Sequence, residues 1–83
     1  MIRIDKIKDG LYRTEAMDSG RMAVQVIGYG TLSVWVSVDG KAYSQFKAMS
    51  VVGSTIFLID LPEGGKLYLQ YAACTEPKIY ILR

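Results

Sequence analysis

Residues 31–43 read TLSVWVSVDGKAY, and in them Leu32, Val34, Val36 and Val38 alternate with Thr31, Ser33, Trp35, Ser37 and Asp39. A period of two residues is that of a strand with one face buried. Asp39-Gly40 then punctuates the run. A two-residue type I′ turn needs positive φ at both central positions, which glycine adopts freely and aspartate tolerates. The spacing therefore predicts a hairpin that returns through Lys41–Phe46.

Toward the N-terminus, Arg21–Ile27 (RMAVQVI) sets Met22, Val24 and Val26 against Ala23, Gln25 and Ile27, a second strand pattern. Gly28-Tyr29-Gly30 between the two patterns predicts a tight connection or a bulge. Further upstream, Ile2, Ile4 and Lys6 alternate with Arg3, Asp5 and Ile7, which suits an opening edge strand whose charges discourage unwanted pairing. Asp9-Gly10 signals a turn, Leu11–Ala16 a short strand, and Asp18-Ser19-Gly20 its end.

Toward the C-terminus, Gly53-Ser54 interrupts the run from Val51 to Leu61 and predicts a bend. Ile56–Leu61 (IFLIDL) is apolar on both faces, the pattern of a central strand covered on both sides. Pro62-Glu63-Gly64-Gly65 predicts a break, and Lys66–Ala73 restores alternation with Leu67, Leu69 and Tyr71 on one face. After the turn signal Thr75-Glu76-Pro77, Lys78–Arg83 reads as a last strand, with Pro77 just ahead of it because proline cannot donate to a ladder. No helical stripe occurs. The pattern predicts one all-β domain over residues 1–83, a small antiparallel β-sandwich or barrel of roughly seven or eight short strands.

A domain of 83 residues hides only about 60% of the surface its unfolded chain exposes. With 51% hydrophobic residues, such a body has more apolar side chains than interior, which predicts a patch covered by another chain. The start Met1-Ile2-Arg3-Ile4-Asp5 lacks the basic, apolar and small-residue regions of a secretory signal, and no apolar run is long enough for a membrane helix. A soluble protein made in a cytoplasm, with no membrane partner, is expected. The net charge of +2 comes from ten basic and eight acidic residues with no basic run. Counterion release from a polyanion needs cations clustered on one face, so no nucleic-acid partner is expected.

The chain has no histidine and a single cysteine, Cys74. That removes histidine-based triads, intramolecular disulfides and the usual zinc, copper and haem ligand sets, so no cofactor or metal site is expected. Cys74 itself is expected to be a small buried hydrophobe. Asp9, Asp18, Asp39, Glu63 and Glu76 all lie at or beside turn signals containing glycine or proline. That placement suits turn capping rather than acid–base pairs, and no catalytic residue or enzyme activity is expected. Trp35, Tyr68 and Tyr80 fall opposite the aliphatic sets of their strands. They are the candidate interface residues: a second core layer, anchors for a protein partner, or a platform for a sugar.

The stretch Gly30–Tyr43, GTLSVWVSVDGKAY, with Ser37-Val38-Asp39-Gly40 at its turn, resembles a hairpin found in small β-sandwich proteins of bacteriophage virions. Those families include capsid decoration (cement) proteins, head-fibre subunits and tail accessory proteins. The resemblance implies a non-catalytic structural protein located in the virion, a homo-oligomer (trimer or dimer) that binds a capsid or tail protein. Similar hairpins occur in carbohydrate-binding modules, which stand as the alternative.

Overall fold

The computed structural model describes residues 2–83; Met1 lies outside the described residues. The fold is all-β, with 78% of residues in strands and no helix among those described. Five strands follow in chain order: β1 (Ile4–Lys8), β2 (Leu11–Thr14), β3 (Met17–Ser37), β4 (Ser44–Ala72) and β5 (Lys78–Leu82). They form one curled antiparallel sheet in the order β1-β2-β4-β3-β5. The strands are therefore fewer and longer than the punctuation of the sequence predicts.

Two long strands explain the difference. Gly28-Tyr29-Gly30, expected to connect two strands, lies inside β3, and Pro62-Glu63-Gly64-Gly65, expected to break the chain, lies inside β4. Asp18-Ser19-Gly20 marks no reversal either, only a shift of register between Asp18 and Gly20. At each place the chain bends without turning back. Gly53, with φ at 89°, is the bend expected in the run from Val51 to Leu61.

The pairing shows how the curl arises. Along one edge of β3, residues Gly20 to Val36 pair with β4 from Leu61 back to Ser44. Along the other edge, Ala23–Ile27 pair with β5, while Thr31–Ser37 pair with the end of β4, Ala72–Lys66. β4 thus reaches both edges of β3, which requires the sheet to roll up on itself. Gly30 permits the crowded step between β4 and β5, because a β-carbon there would collide with the carbonyl oxygen of Ala72.

Alternation selects most of the inward set but fails at the end of β3, where Ser37 is buried and Val38, already in the loop, is exposed. Met22, Val24, Val26, Leu32, Val34, Leu67, Leu69 and Tyr71 are all buried, with Ile79 beside them. β1 is an edge strand, as its charges suggest, and Pro77 directly precedes β5. β2 is too short to complete its ladder. Its last residue, Thr14, instead accepts the backbone N–H of Leu69 on its side-chain oxygen at 2.9 Å, satisfying a buried donor.

The Asp39-Gly40 reversal differs from the two-residue turn expected. β3 ends at Ser37 and β4 begins at Ser44, leaving residues 38–43 as a longer loop. Gly40 takes positive φ, at 77°, but Asp39 does not. Asp39 acts through its carboxylate. One oxygen accepts from the Lys41 N–H at 2.8 Å, the Ala42 N–H at 3.1 Å and the Ser37 hydroxyl at 2.7 Å. Three donors satisfied by one side chain make an Asx-type turn that a I′ turn would not need.

Candidate interaction surface

The outward side of the first half of β3 and its neighbours is apolar. Across the sheet, Leu82, Ala23 and Leu58 form one row, Tyr80, Gln25 and Ile56 the next, and Tyr29 pairs with Val52 further along. Leu58 is 78% exposed and Ile56 is 66% exposed, whereas Phe57 between them is only 9% exposed. IFLIDL is therefore covered on one side only, and the expectation of a strand buried on both faces is corrected: among the described residues no second layer lies over Ile56 and Leu58. Isolated exposed aliphatic residues are ordinary, but a contiguous group on one sheet face is not.

The surface is shaped as well as apolar. Ala23, Gln25, Ile56, Tyr80 and Leu82 line a shallow groove of about 320 Å³. The row that continues past Leu58 carries the ion pair of Arg21 with Asp60, at 3.7 Å, and Lys78 stands beside Ile27. Charges thus sit at the margin, with apolar side chains in the middle, the usual layout of a protein–protein contact. The sequence reading missed Val52, Ile56, Leu58 and Leu82 as surface residues. Their signal was present in the two-faced apolar pattern of IFLIDL and in the high hydrophobic content.

Of the three aromatic candidates, the structure brings together two. Trp35 and Tyr68 are cross-strand partners, with ring planes 5° from parallel and centroids 6.1 Å apart, and Tyr43 tilts against Tyr68 at 5.0 Å. The Arg13 guanidinium lies 5.0 Å from the centre of the Tyr68 ring. Several polar groups around the rings bond to one another: Arg13 donates to Gln70, Trp35 Nε1 donates to Ser33, and the Ser33 hydroxyl donates to the Gln70 carbonyl, while the buried Nε of Arg13 has no partner among the described residues. Tyr80 lies apart from them, exposed in the apolar rows on β5.

Charged groups elsewhere serve the fold. The three hydrogen bonds to Asp39, the one from the Lys41 N–H foremost, hold its carboxyl well down, at about 2. Lys66 donates to Asp18 at 2.8 Å, which lowers the Asp18 carboxyl below its ordinary range and raises Lys66 above its own. Both carboxylates are open to water. Cys74 is exposed in the turn between β4 and β5, which corrects the expectation of a buried thiol: the strand ends at Ala72, before the cysteine could be carried inward. No known family, curated protein or solved structure matches the chain.

Proposed function

We propose that this chain is a non-catalytic structural subunit of a bacteriophage virion, a capsid decoration, head-fibre or tail accessory protein that self-associates and binds the particle surface. The observation that carries the self-association is the exposed apolar sheet face centred on Ile56 and Leu58. Removing such a face from water stabilises an assembly at roughly 25 cal/mol per Å² of apolar area. The virion setting rests on the Gly30–Tyr43 resemblance and on the economy of a small all-β chain. The curl reads as a small barrel, supported by β4 reaching both edges of β3.

Light scattering after size-exclusion chromatography tests the assembly: the wild type is expected to be a dimer or trimer, and Leu82→Lys, in the apolar row of Leu58, to be folded but dissociated. A monomeric wild type would remove self-association. Mass spectrometry of the purified phage particle tests the setting, with many copies per virion expected and absence from the particle overturning it. The alternative, a carbohydrate-binding module, draws on the Trp35–Tyr68 pair with Arg13, where Arg13 Nη2 and Trp35 Nε1 already bond within the chain and Arg13 Nε has no partner among the described residues. Glycan-array binding abolished by Tyr68→Ala would favour it.

A further inference from the structure

The two edges of the sheet are not alike. β1 carries Asp5, Lys6 and Lys8 and a break in register between Lys6 and Lys8, and both features discourage another strand from pairing with it. β5 pairs with β3 along one side only. Within it, Lys78 is the one charged residue, followed by Ile79, Tyr80, Ile81 and Leu82. Its free side borders an open groove of about 740 Å³, whose other wall is Ile2 and the segment from Glu15 to Asp18. Each such edge leaves alternate N–H and C=O groups without a strand partner.

We propose that β5 is the dimer contact: β5 of one copy pairs antiparallel with β5 of a second copy about a twofold axis at Tyr80. This rests on the self-association proposed above and places its contact at the sheet edge, where Tyr80 and Leu82 of the apolar rows meet the second copy while Ile56 and Leu58 stay on the joined outer face. The occupant is a second copy because the strand is complementary to itself in that register. All five residues from Lys78 to Leu82 find partners: Tyr80 faces Tyr80, Ile79 faces Ile81, and Lys78 faces Leu82. The two lysines are kept at opposite ends. Immediately outside the strand, the Arg83 guanidinium is held by its own chain, donating to the carbonyls of Asp18 and Ser19 at 2.7 and 2.9 Å, so the pairing rests on the strand itself and asks no ion pair of its ends.

The pairing also joins the two apolar faces. The row Ile56–Gln25–Tyr80 continues across the axis into the same row of the second copy, and Leu82 comes beside the second copy's Lys78 stem. A twofold contact of this kind is isologous and closed, so it ends at a dimer and leaves the charged β1 edges outside.

The test uses two variants of an outward, partly exposed position. Tyr80→Cys, in a Cys74→Ser background, is expected to form an intersubunit disulfide rapidly on mild oxidation, since directly opposed residues have β-carbons about 4.5–5.5 Å apart. Glu63→Cys in the same background, far along β4, is expected not to. Tyr80→Lys places like charges across the axis and is expected to weaken dimerisation by roughly tenfold or more, whereas Lys6→Glu at the other edge is expected to leave it unchanged. An oligomer that survives Tyr80→Lys and gives no Tyr80→Cys disulfide, or a trimer by light scattering, overturns the β5 contact and leaves self-association standing. A monomeric wild type overturns both.

Discussion

The hydroxyl of Tyr71 occupies the space beside Gly28 that a side chain would need: a β-carbon built on Gly28 would lie 2.9 Å from the Tyr71 oxygen. The two meet inside the curl, where Tyr71 is 1% exposed and its hydroxyl has no hydrogen-bond partner among the described residues. Burial accordingly raises the Tyr71 hydroxyl above its ordinary pKa. The sheet tolerates an unpaired polar atom here because the ring itself fills the core between β3 and β4.

Gly28→Ala is expected to destabilise the domain by about 1–3 kcal/mol, through overpacking against Tyr71 and through the strain of a side chain at a φ of 155°. Tyr71→Phe is expected to be neutral or stabilising, because it deletes a buried group that bonds to nothing. In the Tyr71→Phe background the alanine should cost less, since the nearest remaining ring atoms lie 3.6 and 3.7 Å from the β-carbon, ordinary contact distances. Urea unfolding of the four proteins of this cycle checks the coupling; additive effects would place the crowding elsewhere.

Thr14 offers a cleaner case of a buried hydrogen bond. Its hydroxyl oxygen accepts the Leu69 N–H at a point where β2 has run out of ladder. Thr14→Val keeps the shape and removes the acceptor, leaving a buried backbone donor unpaired, and is expected to cost about 1–3 kcal/mol. Hydrogen exchange at Leu69 should rise in the variant by more than at neighbouring amides. Equal exchange rates would show that another acceptor takes over.

What the sequence disclosed, and what it concealed, divides along the range of the interactions. Alternation picked out most of the inward residues of β3, the end of β4 and β5, from Met22 to Ile79, because burial of one face is a local property of a strand. Bend and reversal are not distinguishable locally. Gly28-Tyr29-Gly30 and Pro62–Gly65 have the composition of turns, but distant pairing holds the chain extended through the first, and the second is only a bulge between the pairs Gly20–Leu61 and Asp18–Lys66. The two-faced IFLIDL pattern is likewise the same whether the second face is covered by this chain or by another. Tyr68 meets Trp35, and Tyr80 does not, through a register that only the rolled sheet defines. Cys74 reads like a continuation of Ala72-Ala73, yet it falls just beyond the last ladder pair.

That position leaves Cys74 accessible in the folded protein. An exposed thiol in a turn needs no unfolding to meet a reagent. Native labelling with a small disulfide reagent is expected to proceed at nearly the rate found in denaturant. Protection in the native state would show that the turn at residues 73–77 is covered in solution, and loss of that protection on dilution would assign the cover to a second copy.

Acid should loosen the loop at Asp39 before it reaches the core. The folded carboxyl titrates at about 2 against an ordinary value of 3.8, so its contribution to stability is fully present above the ordinary value and is lost as pH falls toward 2. Asp18, lowered by Lys66, acts in the same direction. Urea midpoints are therefore expected to fall between about pH 5 and about pH 2.5, and to fall less steeply in Asp39→Asn, whose amide oxygen still accepts hydrogen bonds but carries no charge. Parallel acid profiles would mean that the loop bonds do not form in solution.

Trp35 separates the stability of the fold from the stability of the assembly. Its ring is half-buried beside Tyr68, its Nε1 donates to Ser33 at 3.1 Å, and it belongs to the far half of β3 from the Tyr80, Ile56 and Leu58 rows. Truncation removes the ring contact and the indole's packing, so Trp35→Ala is expected to lower folding stability by about 2–3 kcal/mol. The subunit dissociation constant should stay as it is, because no atom of the proposed contact has moved. Far-UV circular dichroism is the readout for folding, since the variant lacks the chain's single tryptophan, and sedimentation equilibrium is the readout for association. Unaltered folding with weakened association would transfer the interface to the Trp35–Tyr68 cluster, where a few aromatic anchors could carry most of the binding energy.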